Sequence, residues 1–121
     1  MINIQDEYQK FIKGLIEQTK IAKVTWKKQN DTTYYFNSRN EETLITVSVQ
    51  KIGSADRSLS FLNNYIFQVI NTNTKEILVN LETSISRNYS YELGDLYNAI
   101  EESIEVKNLD VLNNILKNIK G

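Results

Sequence analysis

The first apolar residues to fall into a period are Tyr8, Phe11, Ile12, Leu15 and Ile16. Their spacing is one face of an amphipathic helix, predicted over Gln5–Thr19. Asn3 stands where an N-cap belongs, Asp6 and Glu7 suit the first turn, and Lys20 and Lys23 suit the far end of the helix dipole. Gly14 falls inside this helix, where Gly costs about 1 kcal/mol relative to Ala. At Val24 the period changes to two, and Val24 and Trp26 alternate with Thr25 and Lys27 as in a half-buried strand. Thr33–Asn37, with Tyr34, Tyr35 and Phe36, reads as a second strand. Thr43–Ile52 reads as a third, with Ile45, Val47 and Val49 on one face and Thr46, Ser48 and Gln50 on the other. Gln29–Thr32 and Ser38–Glu42 carry turn and loop chemistry, and Gly53–Asn63 reads as a long loop. Strands over Asn64–Asn71 and Glu76–Thr83 follow, joined through Thr72-Asn73-Thr74, with Tyr65, Phe67, Val69, Ile77, Val79 and Leu81 inward.

The tail returns to helical spacing. Leu93, Leu96, Tyr97, Ile100 and Ile104 form one stripe behind a possible cap at Ser90. Leu112, Ile115, Leu116 and Ile119 form another behind Asn108, with Gly121 just past the end. Short connections between consecutive strands imply an antiparallel meander, and the segregation of strands from helices implies an α+β fold. The expected architecture is therefore one α+β domain over residues 1–121: an N-terminal amphipathic helix, a meander sheet of about five strands, and two C-terminal helices.

The sheet's second face changes this picture. Leu44, Ile52, Ile66, Ile70 and Leu78 fall on the side opposite the core, where a solvated antiparallel sheet would carry polar residues. A cover is expected there: a terminal helix, the Ser54–Asn63 loop, another protein or a second copy of the chain. Leu44, Ile66, Ile70 and Leu78 are the candidate interface, because they alternate with uncharged polar residues whose burial carries little charge-desolvation cost. A two-fold dimer is the simplest closed way to bury that face.

Composition removes most catalytic chemistry. The chain has no Cys and no His, so thiolate catalysis, disulfides, Cys-based zinc sites and His-dependent triads are excluded. Its four glycines, at 14, 53, 94 and 121, match no phosphate-binding loop. Carboxylates remain: Glu101 and Glu105 stand at i, i+4 beside Glu102, a spacing that could hold a hard cation or share a proton but also suits a solvated helix face. No cofactor or metal is expected. The opening residues Met1–Glu7 are polar and acidic, unlike a secretion signal, and no stretch is apolar enough to span a membrane, so a cytoplasmic location is expected.

Charge is unevenly spread. Residues 1–28 carry six Lys against three acids, and residues 91–121 carry six acids against three Lys, which favours attraction between the first and last helices. Lys20, Lys23, Lys27 and Lys28 lie near Trp26, Tyr34 and Tyr35, the residue types that bind single-stranded nucleic acid. Against that reading, the net charge is −1 and the pI about 5.5.

Trp26 on the first strand after an amphipathic helix, and Leu93-x-x-Leu96-Tyr97 opening the helix after the meander, resemble a loose group of small bacterial α+β proteins. Some of that group are similar to immunity-type and counter-defence proteins of mobile elements. The resemblance implies a non-enzymatic binding or inhibitory protein that acts through a protein surface. It transfers no functional residue. The alternative is a protein that binds or sequesters a small molecule in a pocket between sheet and helices, lined by Tyr34, Tyr35, Tyr65 or Tyr97. Nucleic-acid binding and a carboxylate-dependent enzyme are remoter readings.

Overall fold

The computed structural model describes residues 3–53, 64–83 and 89–120. Helix α1 spans Ile4–Lys20, and the expected cap is made: Asn3 Oδ1 accepts from the backbone N–H of Gln5 at 3.1 Å and of Asp6 at 3.4 Å. Five antiparallel strands follow: β1 (Lys27–Asn30), β2 (Thr33–Asn40), β3 (Thr43–Ile52), β4 (Asn64–Asn71) and β5 (Ile77–Glu82). Each strand lies beside its neighbour in sequence, in the order β1-β2-β3-β4-β5. Helix α2 closes the fold as Ser90–Lys120. The architecture is α+β, and no helix among the described residues is long and apolar enough to cross a membrane. The loop expected over Gly53–Asn63 lies, beyond Gly53, outside the described residues.

The alternation in β3 sets the register of the sheet. Val47 pairs with Phe36 and Val69, and Val49 pairs with Tyr34 and Phe67, so one face collects the core. Both helices lie on that face. Phe11 of α1 meets Phe67 edge-on at 6.2 Å, and Tyr97 of α2 meets Tyr34 at 5.3 Å and Tyr65 at 5.7 Å. Helix α2 passes the Tyr65 ring at Gly94, where the ring stands 3.6 Å from where a Cβ would lie, an ordinary contact distance. Trp26 is buried ahead of β1, with its ring 4.7 Å from Phe36 and its indole N–H donating to Thr19 Oγ1 at 3.0 Å.

The first strand begins later than expected: Val24–Trp26 precede β1, whose residues Lys27–Asn30 are all exposed, and the turn expected over Gln29–Thr32 narrows to Asp31-Thr32, because Trp26 is held by Thr19 and Phe36 and not by strand pairing. Three further expectations are corrected. The C-terminal region is one uninterrupted helix of 31 residues, not two. Asn108 lies inside it, where Asn costs only a fraction of a kcal/mol and no Gly or Pro reinforces a break. Ile77 does not face the core. A register shift between Val69 and Ile70 leaves Val69 opposite Val79 but puts Ile70 opposite Ile77, on the second face, where Ile77 is 54% exposed. The third correction concerns the loop expected at Ser38–Glu42, which shrinks to Glu41-Glu42. Asn40 pairs with Thr43, and Glu41 takes a positive φ of 58°, the hairpin geometry that favours Gly.

Candidate functional site

Helix α2 has two halves with different surroundings. From Leu93 to Ile100 its buried residues, Leu93, Leu96, Tyr97, Ala99 and Ile100, pack into the core, and Ile104 is the last apolar side chain of the helix packed against it. Every residue from Glu105 to Lys120 is exposed. Val106, Lys107 and Asp110 still line a cleft with Lys20, Ala22, Val24 and Trp26, so only the turns from Val111 on, about 15 Å at 1.5 Å per residue, pass beyond the body.

This extension is amphipathic. With about 100° between successive residues, Leu109, Val111, Leu112, Ile115, Leu116 and Ile119 fall within an arc of about 160°. Lys107, Asp110, Asn113, Asn114, Lys117, Asn118 and Lys120 occupy the opposite arc together with Val106, while Glu105 and Asn108 fall among the apolar side chains at the body end of the arc. The six apolar side chains are between 48% and 75% exposed. Their arc lies about a quarter-turn round from the stripe that Leu93, Leu96, Tyr97 and Ile100 present to the body. The extension's apolar face is therefore not a prolongation of the buried one. Bending the helix back along its packed side would not bury it.

The other sequence candidates are placed differently. On the sheet's second face Leu44, Ile66 and Ile70 are partly covered, while Leu78, at the register shift, is 48% exposed. Polar side chains bridge the spaces between them. Thr46 bonds Asn37 at 3.0 Å and Thr72 at 2.8 Å, and Gln68 donates to Asn80 at 3.0 Å. The register brings Ile66 and Ile70 onto one face of β4 and Leu44 onto the same side of β3, but no continuous apolar strip joins them.

Tyr34, Tyr65 and Tyr97 are brought together as a ring cluster inside the core, with Lys51 Nζ 5.7 Å above the Tyr97 ring. Tyr35 pairs with Ser48 and faces the other side of the sheet. Burial pushes the Tyr97 phenol up to about 12, with further increments from Tyr34, Glu101 and Tyr65. Burial also raises Tyr34, with Glu101, Asp31 and Glu105 adding to it.

An apolar cavity of about 300 Å³ lies elsewhere, between α1 and the β4–β5 end of the sheet, lined by Tyr8, Phe11, Phe67, Val69, Val79 and Leu81. It was not legible as a pocket, because each lining residue reads as ordinary core. Lys20, Lys23, Lys27 and Lys28 are exposed, but Trp26 is buried away from them and offers no stacking surface. Among the described residues no three carboxylates gather where they could hold a metal ion.

The extension itself was missed as a site. Leu112, Ile115, Leu116 and Ile119 read as a core-facing stripe, since amphipathicity is the same whether or not a partner is present. The available signal was the change of phase between the two stripes, which one straight helix cannot turn toward a single body. Comparison of the chain with protein-family models, with curated proteins and with solved structures finds no match.

Proposed function

We propose that this chain is a non-enzymatic binding or inhibitory protein that acts through a protein surface, and that the C-terminal part of α2 is that surface. The observation that supports the reading is the exposure of Leu109, Val111, Leu112, Ile115, Leu116 and Ile119 on one arc of the C-terminal part of α2. Together they expose roughly 600 Å² of apolar surface, the upper end of the ~300–600 Å² typical of the largest patch on a monomer. An amphipathic helix with an open apolar face is a recurring recognition element, read through anchors at i, i+3, i+4 and i+7. The resemblance to immunity-type and counter-defence proteins agrees with inhibition by surface contact.

Photo-activated cross-linkers placed at Leu112 and Leu116, with Asn80 on the sheet as control, test this in living cells. Protein adducts from the helix positions and none from Asn80 are expected. Adducts from Asn80 alone, or none at all, would reject the helix as the working surface.

A second reading rests on the cavity beside Phe11. Its ~300 Å³ is the lower end of the range of small-molecule sites, and its lining would take an apolar ligand. Saturable binding of an apolar fluorescent probe, abolished by Val79→Trp in a protein that still folds, is the outcome this reading requires.

A further inference from the structure

We infer that the occupant of the exposed α2 face is the same helix of a second copy, lying antiparallel to it. The inference rests on the reading of that face as a binding surface and names its partner. Two observations on the helix carry it. The first is area. Complete burial of two arcs of roughly 600 Å² would remove at most about 1,200 Å², the lower limit of stable protein interfaces, which run ~1,200–2,000 Å². A two-fold contact through this face is therefore a weak, concentration-dependent one, with the flanking polar residues forming its rim.

The second is charge. Glu105 stands at the body end of the apolar arc and Lys120 at the edge of the arc at its free end, whereas Lys117 points away from that face. Antiparallel pairing sets each copy's lysine end beside the other's acidic end and opposes the two helix dipoles. Parallel pairing sets acid beside acid and lysine beside lysine. The ion pairs on the rest of the molecule, Lys10–Glu7 and Lys28–Asp31, are local and do not involve these end charges. The sheet's second face is the weaker candidate for self-association, because its apolar residues are partly covered and separated by bonded polar pairs.

Light scattering across a concentration series reads the state of the full chain. A concentration-dependent dimer is expected. Leu112→Lys with Leu116→Lys should give a monomer throughout, with unchanged circular dichroism at high dilution. Orientation is read from charge: Lys120→Glu should weaken the dimer severalfold at low salt, and adding Glu105→Lys should restore it. Because the chain has no cysteine, Lys120→Cys gives an independent readout, with no self-cross-link expected from the antiparallel pair. A strict monomer, a dimer indifferent to the Leu112 and Leu116 changes, or efficient cross-linking at Cys-substituted 120 would overturn the inference. A monomer that still gives helix adducts with a different protein overturns only the second copy. A monomer giving no helix adducts overturns the surface reading as well.

Discussion

Thr19 shows how much one hydroxyl can hold. It is buried in the last turn of α1, donates to the Leu15 carbonyl at 2.8 Å and accepts the indole N–H of Trp26 at 3.0 Å. Thr19→Val keeps the shape but leaves that N–H unpaired, which should cost about 1–3 kcal/mol in chemical denaturation, while Thr19→Ser should recover most of it. Trp26→Ala removes the packed ring and should cost about 3–5 kcal/mol. The opposite sign is expected at Gly14, where nothing lies within 4 Å of a built Cβ. Gly14→Ala should raise stability by about 0.5–1 kcal/mol, seen as a higher denaturation midpoint. The burial of Trp26 is as expected, although the strand alternation that suggested it is not there, since β1 begins only at Lys27. Its bond to Thr19 was not legible, because the partners come from different elements and Thr19 reads as the polar end of a helix.

Elements were legible where a pattern persists over several residues. The alternation of Ile45, Val47 and Val49 fixed the face of β3, and the Asn71-to-Lys75 turn matched its composition: Asn71 Oδ1 accepts from the N–H groups of Asn73 and Thr74. Legibility failed at single-residue slips. One extra residue in β5 moved Ile77 to the other face, since a strand's side-chain period of two inverts at each slip. In α2 a stripe that changes direction mimicked a break. Because Asn108 lies inside a continuous helix, Asn108→Ala should raise the helical circular dichroism signal by replacing a poorer helix former. Asn108→Pro should lose the turns beyond it while leaving the body folded. Deleting residues 106–121 should change the stability of the body, measured at high dilution, by less than about 1 kcal/mol, since the side chains removed are exposed.

For the molecule as a whole, the interior is the place where pH acts. Tyr97 titrates near 12 in the fold against 10.0 when unfolded, and burial raises Tyr34 and Tyr89 as well. A raised folded value means that below pH 10 these phenols are neutral in both states and stability is intact. As pH rises from 10 toward 12, the unfolded chain ionises first and stability falls. Alkaline unfolding should therefore begin in that window, with the phenolate absorbance of Tyr97 appearing together with loss of circular dichroism. Tyr97→Phe should move the transition to higher pH. The class of the fold was legible from its string of elements, but the working surface was not, because a sequence shows which residues are apolar and not which are left without a neighbour.

The strand order β1-β2-β3-β4-β5 also has a consequence in time. Every pairing in that sheet joins neighbours along the chain, and all but that of β3 with β4, separated by residues 53–63, close a short loop at low entropic cost. The packing of α1 against α2 brings together the two ends of the chain and closes its longest loop. The hairpins should therefore lead and the docking of α1 should follow. Substitutions at Val47, Val49 and Phe67 are expected to slow folding, whereas those at Ile12 and Thr19 should mainly speed unfolding. The single tryptophan, held by Thr19, then serves as a built-in clock: its emission reports the last event of folding, while the tyrosines of the sheet report the first.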